Sequence, residues 1–300
     1  MKKMVALPLL AAVAVPFALL ALSGPDEPAK APSEIAAAAP AGDWEDIPES
    51  DLLVMDAGED GHVVIQLAPG FAPVHEANIR TIAAARWWDG TSINRVQDNY
   101  VVQWGDATER KALPIGVTAN PPAEYERPAK GLKVNWISWP DPYARKTGFA
   151  AGGWPVGSDG SSAWLAHCYG TVGVGRNLAP DTGSGAELYV VIGQAPRHLD
   201  RNIAVVGRVI AGMEYLASRP RGTGDLGFYE SPGERIGIGS LKPMADLEPG
   251  AKSAWQVLSG KSFAAYRDAR ANRRDPFFNV PAGGADVCNI PVPVRRKPAG

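Results

Sequence analysis

The sequence predicts a mainly β fold, in which short antiparallel strands close into a barrel with a helical cap near each end of the strand run. Two observations predict it. Short runs of strand composition recur along the chain, and only two stretches among them show helical character. The composition fits a folded domain, because 45% of the 300 residues are hydrophobic and 21% are charged.

The strand runs are rich in β-branched residues and are bounded by turn-forming residues. They lie at residues 62–67, 91–96, 100–104, 170–175, 188–192, 204–209 and 235–241. A first helix is predicted over residues 73–86, which begin with a proline and continue with apolar residues at helical spacing. A shorter helix is predicted at residues 213–218. The Asp89-Gly90 pair, which follows the first helix, is a turn signal.

Two regions depart from this pattern, within and after the domain that we place at residues 51–245. Residues 107–163 are irregular, with repeated prolines and several tryptophans, and they predict an insertion that covers the domain as a long loop. Residues 246–300 form a predicted C-terminal extension. Within it, residues 261–274 have helical character and high charge, and a proline-rich tail follows.

The N-terminus has the composition of an export signal. Lys2 and Lys3 precede an apolar run that ends in small residues, which is typical of a secretory signal peptide at residues 1–23. The run approaches the length of a membrane-spanning helix, so an uncleaved anchor is the alternative, and membrane contact is expected only in that case. Residues 24–50 are rich in alanine and proline and predict a flexible linker. We therefore expect a periplasmic or secreted protein of a bacterial envelope.

Several function classes are excluded by charge and motif context. The formal net charge is −2, and the basic cluster at residues 295–297 is too short to bind nucleic acid. The GxGxxG match at residues 222–227 lies between prolines instead of opening a helix after a strand, so it does not indicate a dinucleotide site. The four histidines are too scattered to define a metal site. We expect neither a metal nor a cofactor.

The two cysteines, Cys168 and Cys288, leave two alternatives open. An oxidising compartment permits a disulfide between them, and two buried free thiols are the other interpretation. If they pair, the bridge ties the C-terminal extension to the middle of the domain. In the chain-entropy description, closing so long a loop stabilises the fold by about 4–5 kcal/mol.

The segment at residues 89–106 carries the strongest motif. It reads DGTSINRVQDNYVVQWGD and resembles the cyclophilin signature, whose common form is DGTxFHRVIxxFMxQGGD. Residues 170–176 resemble the strand that enters the SQFF motif of that family. Residues 186–193 occupy the position of the SQFF motif itself. Residues 198–209 resemble its WLDxxxxVFGxV motif. Three blocks in the family's order cover roughly residues 55–242, so the chain resembles the cyclophilin-type peptidyl-prolyl cis-trans isomerases.

The resemblance implies a cyclophilin-like fold, an eight-stranded antiparallel barrel capped by two helices, with a groove that binds proline-containing polypeptides. Arg95 matches the family's catalytic arginine, and Gln103 matches the residue that binds the peptide backbone and orients it. The other positions implied to contact substrate are Tyr100, Val101, Gly175, Arg176, Glu187, Tyr189, His198, Leu199 and Ile203. The catalyst that the resemblance implies needs no covalent intermediate, and we expect a monomer.

Several groove positions depart from the family pattern. Asn94 replaces a histidine, Tyr100 and Tyr189 replace phenylalanines, and Glu187 replaces a glutamine. His198 stands where animal members often have tryptophan. The departures leave two hypotheses. The chain is an active isomerase that helps exported proteins to fold, or it is a catalytically weak or inactive chaperone or scaffold that binds peptides in the same groove.

Overall fold

The computed structural model describes residues 28–56, 58 and 61–298, and this part of the chain contains four α-helices and three antiparallel β-sheets. The helices are α1 (Pro32–Ala37), α2 (Pro73–Ala84), α3 (Met213–Ala217) and α4 (Gly260–Ala271). The strands are β1 (Trp44–Ile47), β2 (Leu52–Asp56), β3 (His62–Leu67), β4 (Ser92–Val96), β5 (Val101–Gly105), β6 (Arg127–Pro128), β7 (Val134–Ile137), β8 (Lys146–Ala150), β9 (Trp154–Ser158), β10 (Ser162–Leu165), β11 (Thr171–Val174), β12 (Leu188–Val191), β13 (Val205–Ala211), β14 (Ile236–Gly237), β15 (Ser240–Pro243), β16 (Trp255–Leu258) and β17 (Val294–Arg296). The mainly β character and both predicted helices of the domain are confirmed.

The largest sheet has nine strands and curls into an open half-barrel, in the order β14-β4-β5-β12-β11-β13-β3-β2-β15. The expected closed eight-stranded barrel is therefore wrong. The two edge strands of the nine-stranded sheet, β14 and β15, lie on one short segment of the chain. This segment pairs first with β4 and then with β2. Between them, Ile238 N donates to Thr91 O and Gly239 N donates to Asp56 O. The two ends of the sheet are thus joined by a crossing chain and not by a further ladder.

The main core lies inside this half-barrel and includes one face of α2 and of α3. Ile79 and Ile82 of α2 and Leu216 of α3 are fully buried there with the inward side chains of the strands. Helix α2 begins at a proline, which needs no hydrogen-bond acceptor for its nitrogen at this position. The carboxylate of Glu124 accepts hydrogen bonds from Val74 N and His75 N, so the insertion caps the helix N-terminus.

The insertion is not the irregular loop that the sequence predicted. It contains a second, five-stranded sheet in the order β6-β10-β9-β8-β7. These short strands contain glycines and prolines, which have low strand propensity, so composition does not predict them. Some of the glycines are needed for the strands to pair. A Cβ atom at Gly148 would lie 2.4 Å from Asn135 O on the neighbouring strand. This sheet covers the outer face of the half-barrel, where Val156 and Leu165 pack with Val205.

The predicted flexible linker is also different in the structure, from residue 32 onward. Helix α1 packs against α4, and β1 forms a third sheet with β16 and β17 of the C-terminal extension. Trp44 pairs in register with Leu258, and both are buried. The alanine- and proline-rich composition gave no sign of this order because the strand is stabilised by a partner 210 residues later in the chain. Helix α4 confirms the predicted helical stretch of the extension.

Cys168 and Cys288 form a disulfide, so of the two alternatives for the cysteines the structure has the bridge. It attaches the extension to the segment between β10 and β11. The predicted signal peptide, residues 1–23, lies outside the described residues. Within the described residues, none of the helices is both long enough and apolar enough to cross a bilayer.

Candidate active site

The candidate site is built on one row of residues that crosses four neighbouring strands. Arg95 of β4 lies opposite Gln103 of β5, Gln103 lies opposite Tyr189 of β12, and Tyr189 lies opposite Gly173 of β11. Residues that face each other across antiparallel strands carry side chains on the same side of the sheet. The strand register alone therefore sets an arginine, a glutamine and a tyrosine beside one another on the outer face.

A β-bulge aims Arg95 at this face. The pairing of β4 with β5 shifts between Ile93 and Arg95, so that Asn94 is an extra residue without a directly opposed partner. Ile93 and Val96 both enter the main core, and Arg95 between them points outward. The side-chain amide of Asn94 donates a hydrogen bond to Gly105 O at 3.1 Å, so the polar side chain of the bulged residue has a partner. Asn94 thus supports the backbone at the point where the sequence departs from the family's histidine.

Glycine at position 173 leaves the space that the tyrosine ring needs. A Cβ atom there would lie 2.3 Å from the hydroxyl oxygen of Tyr189 and 2.4 Å from its Cζ atom. The ring of Tyr189 consequently occupies the space beside Gly173 on β11, and the residue is 4% exposed. Burial raises the pKa of Tyr189 well above its ordinary value, so the hydroxyl stays protonated.

The guanidinium of Arg95 is held by hydrogen bonds from three directions. Nε donates to Leu226 O at 2.8 Å, Nη1 donates to Gln103 Oε1 at 3.1 Å, and Nη2 donates to Gln97 Oε1. It also lies over the rings of Tyr100, at 5.5 Å, and Phe228, at 5.2 Å. Within the described residues no carboxylate forms an ion pair with it. Burial lowers the pKa of Arg95, although an arginine remains a cation at neutral pH.

Gln103 is fixed at both ends of its amide. Its oxygen accepts from Arg95, and its Nε2 donates to Glu187 Oε1 at 2.8 Å. Burial raises the pKa of Glu187 above its ordinary value, against the opposing effect of the hydrogen bond from Gln103. Because both amide atoms are engaged, the orientation of Gln103 is set by its neighbours, and Gln103 in turn orients the arginine.

The expected substrate-binding residues surround one pocket beside Arg95. Val101 and Tyr189 are buried in its floor, with Tyr100 and Ile203 packed against them. The residues that line the pocket are Arg95, Tyr100, Val101, Gln103, Gly175, Arg176, Tyr189, Leu199 and Ile203. His198 lies outside this lining and stacks on Tyr100 at the rim, with ring centroids 6.1 Å apart. Glu187 also lies outside it and reaches the pocket through Gln103. The structure therefore brings the predicted site residues together around one pocket. Two of them, His198 and Glu187, contact lining residues and do not line the pocket themselves.

Beneath the pocket, the Tyr189 hydroxyl enters a buried polar chain. It lies 2.8 Å from His167 Nε2, and His167 Nδ1 lies 3.0 Å from Asp200 Oδ1. Arg197 Nε donates to Asp200 Oδ2 at 2.6 Å. Burial opposes ionisation of Asp200, but hydrogen bonds from His167 and the charge of Arg197 outweigh it, so the pKa of Asp200 is lowered. A carboxylate at Asp200 requires the proton of a neutral His167 ring to lie on Nδ1, and Nε2 then accepts from the tyrosine.

The buried polar chain of hydrogen bonds continues to both the insertion and the C-terminal extension. Arg197 makes a bidentate pair with Asp141 of the insertion, at 2.9 and 3.2 Å, and lies 3.4 Å from Asp286 of the extension. Asp286 accepts a hydrogen bond from Cys288 N, next to the disulfide. The floor of the pocket is therefore connected by hydrogen bonds to the insertion and to the C-terminal extension.

Sequence reasoning did not identify several residues of this site, which include Gln97, His167, Arg197, Asp200, Leu226 and Phe228. Leu226 and Phe228 belong to the loop that carries the GxGxxG match at residues 222–227. Nothing in the sequence signals that its carbonyl and ring contact Arg95, 131 residues earlier in the chain. His167 is one of the scattered histidines, and only the fold brings it beneath Tyr189.

The comparisons with known proteins agree with this geometry. The family model for cyclophilin type peptidyl-prolyl cis-trans isomerase/CLD matches residues 52–238. The chain belongs to this family of isomerases. Cyclophilin AquaCyp293 from Hirschia baltica, a solved structure, is similar with a TM-score of 0.67 and 23% identity, over 84% of this chain and 93% of that chain. The likeness to that cyclophilin covers more of the chain than the family model does, so the shared fold extends beyond the half-barrel.

Other solved structures are more distant. A Cryptosporidium parvum cyclophilin type peptidyl-prolyl cis-trans isomerase, solved in the presence of the dipeptide Ala-Pro, has a TM-score of 0.40 and 11% identity over 64% of this chain and 98% of that chain. A second structure of that isomerase has a TM-score of 0.39 and 13% identity, over 64% of this chain and 96% of that chain. No curated protein matches this cyclophilin.

Proposed function

We propose that this groove accelerates cis–trans isomerisation of X-Pro bonds through Arg95, and that its substrates are proteins exported to the bacterial envelope. The observation that carries the catalytic proposal is the row of Arg95, Gln103 and Tyr189 beside an apolar pocket. Rotation about an amide is opposed by a barrier of roughly 18–20 kcal/mol, because the nitrogen lone pair is delocalised into the carbonyl group. A catalyst has to localise that lone pair on the proline nitrogen.

The guanidinium of Arg95 is suited to donate to that nitrogen. It has five N–H groups, and three of them are used by Leu226 O, Gln103 and Gln97. Two remain for a bound peptide, one on each terminal nitrogen. Since the internal bonds fix the plane of the fork before substrate arrives, the donor needs little reorganisation as the proline nitrogen becomes pyramidal. No covalent intermediate enters this step.

The pocket supplies binding and orientation. Val101, Leu199 and Ile203 offer an apolar surface to a proline ring, and Tyr100 closes one side next to the arginine. Gly175 also lines the pocket, and its lack of a side chain leaves room for Glu187, since a Cβ atom there would lie 2.9 Å from Glu187 Cγ. Binding the ring in this pocket sets the X-Pro amide next to the Arg95 fork, where it can twist.

The proposed place of action rests on two features. Residues 1–23 have the composition of a signal peptide, and the disulfide between Cys168 and Cys288 is of a kind that persists in oxidising compartments. Fractionation of a Gram-negative host that expresses residues 1–300 tests the proposal. We expect a periplasmic chain that begins near Gly24, by mass spectrometry. A full-length cytoplasmic chain would contradict export without affecting the catalytic proposal.

The catalytic proposal is tested by exchange NMR on a short Ala-Pro peptide at equilibrium, which measures both directions of isomerisation. Replacing one preorganised donor lowers rates by about 10²–10³-fold, and we expect a drop of that order in kcat/KM for Arg95→Ala. Arg95→Lys should also be impaired, because the three donors of a lysine share one nitrogen and leave no planar fork for the substrate once the protein acceptors are bonded. Arg267→Ala, in α4, is the matched control. Wild-type activity in Arg95→Ala would refute the arginine mechanism.

The second candidate function is peptide binding without catalysis. Its support is that three of the five N–H groups of Arg95 are engaged within the protein, and that Tyr100 adds a hydroxyl to a pocket that is apolar in the family pattern. The same NMR samples distinguish the two functions. Shifted resonances of the pocket residues on addition of peptide, with no increase in exchange, would favour the binding module.

A further inference from the structure

A second cavity lies on the outer face of the half-barrel and shares no lining residue with the Arg95 pocket. Its volume is about 320 Å³. One wall is β13 with the start of β11, a second is formed by Trp154 and Leu165 of the insertion sheet, and a third by residues 287–294 of the extension. The disulfide also borders it. The cavity therefore exists only because the insertion and the extension are added to the half-barrel.

The walls are mainly aliphatic. Side chains that supply this surface include Leu165, Val205, Ile210, Met213, Val287 and Val292. Protein interiors are close-packed and leave few voids larger than a water molecule, so an apolar cavity of this size is unusual as a packing feature. It falls at the lower end of the range for small-molecule sites. Both its size and its surface suit a small ligand with an aliphatic body.

Among the described residues that line this cavity, Arg208 is the only charged one. Its Nε donates to Gln66 Oε1 at 3.0 Å, and its two terminal nitrogens donate to Gly153 O at 3.0 Å and Gly152 O at 2.8 Å. The guanidinium lies over the ring of Trp154, 4.3 Å from the centroid. All of its protein partners are neutral, and two of its five N–H groups remain unused.

The positive charge of Arg208 is uncompensated. In the described part of the chain no carboxylate forms an ion pair with it, and no acidic residue lines the cavity. Burial alone lowers the pKa of Arg208 to about 9, because no nearby negative charge opposes the loss of hydration. Arg208 is half-buried, and charges that are withdrawn from water in proteins are usually paired. An anion that enters the cavity would supply the missing partner.

We propose that this cavity binds a medium-chain aliphatic carboxylate, with its carboxylate on the two free N–H groups of Arg208 and its chain along the aliphatic walls. The planar fork of an arginine matches the two oxygens of a carboxylate. A single uncompensated charge selects a monoanion over a more highly charged ligand. Met213 is the adaptable side chain in the wall and accommodates the chain without strict shape matching.

Calorimetric titration of the intact protein with octanoate, beside octan-1-ol, tests the proposal. The two probes have the same chain and differ in the charge. A hydrogen bond to a charged group favours octanoate by about 10- to 100-fold in Kd. Quenching of Trp154, which lies against Arg208, gives an independent optical readout. Equal Kd values for the two probes, or no binding of octanoate, would overturn the proposal.

Variants locate the site. Arg208→Gln should weaken octanoate by about 10- to 100-fold and leave octan-1-ol unchanged, whereas Arg208→Lys should keep part of the preference for the anion. Ala166→Leu, which fills part of the cavity, should reduce the binding of both probes. Arg296→Gln is the matched control, since Arg296 also lies over a tryptophan but outside the cavity. Unchanged octanoate binding in Arg208→Gln and Ala166→Leu would place the ligand elsewhere and refute the site.

Discussion

Replacing Tyr189 with phenylalanine separates the two roles that its side chain combines. The ring forms the floor of the proline pocket, and the hydroxyl bonds to His167 Nε2 at 2.8 Å. Tyr189→Phe keeps the ring and removes only the hydroxyl. The environment of the hydroxyl is closed, because Tyr189 is 4% exposed and His167 is fully buried. Water cannot readily take the place of the lost partner.

The expected loss of stability follows from the group left behind. His167 Nε2 becomes a buried acceptor with no donor, while Nδ1 stays bound to Asp200. An unsatisfied buried polar atom costs about 1–3 kcal/mol, so the free energy of unfolding should fall by that amount. The pocket floor keeps its shape because Gly173 still leaves room for the ring. We therefore expect kcat/KM to stay within about threefold of the wild type, as no transition-state contact is removed.

Urea unfolding followed by tryptophan fluorescence measures the stability, and exchange NMR on the Ala-Pro peptide measures the activity. Tyr100→Phe is the matched control. Within the described residues the Tyr100 hydroxyl has no hydrogen-bond partner, so its removal should leave the free energy of unfolding unchanged. Two results would refute the reasoning. One is a stability loss for Tyr189→Phe no larger than that of the control, and the other is a fall in kcat/KM comparable with that of Arg95→Ala.

Two further predictions concern the support of the pocket. Replacing both Cys168 and Cys288 with alanine opens a loop of 120 residues and should lower the free energy of unfolding by about 5 kcal/mol in the chain-entropy description. Urea titration measures it, and a loss below about 1 kcal/mol would contradict this estimate. The lowered pKa of Asp200 adds stability that is present above its ordinary value of 3.8 and is lost as the pH falls through the folded-state pKa. The fall in unfolding free energy from pH 5 to pH 2 should therefore be smaller in Asp200→Asn, and an identical pH dependence would contradict the assignment.

Local sequence determined the motif that carries Arg95 and Gln103 and the helices of the half-barrel. The resemblance already implied that Gln103 orients Arg95, and the strand register places the two residues opposite each other. Helix α2 was predictable within two residues because a proline start and apolar spacing are local properties. The pocket residues followed from the resemblance, position by position, and the structure brings them together.

Tertiary structure decided what depends on distant partners. The bulge that turns Arg95 outward, the loop at Leu226 that holds it, and the order of β1 all require segments far apart in the chain. The polar chain from Tyr189 to the insertion and the extension has no sequence signature either. Composition and periodicity report what a segment can do by itself, whereas these features arise from hydrogen bonds and burial that exist only once distant segments have packed together.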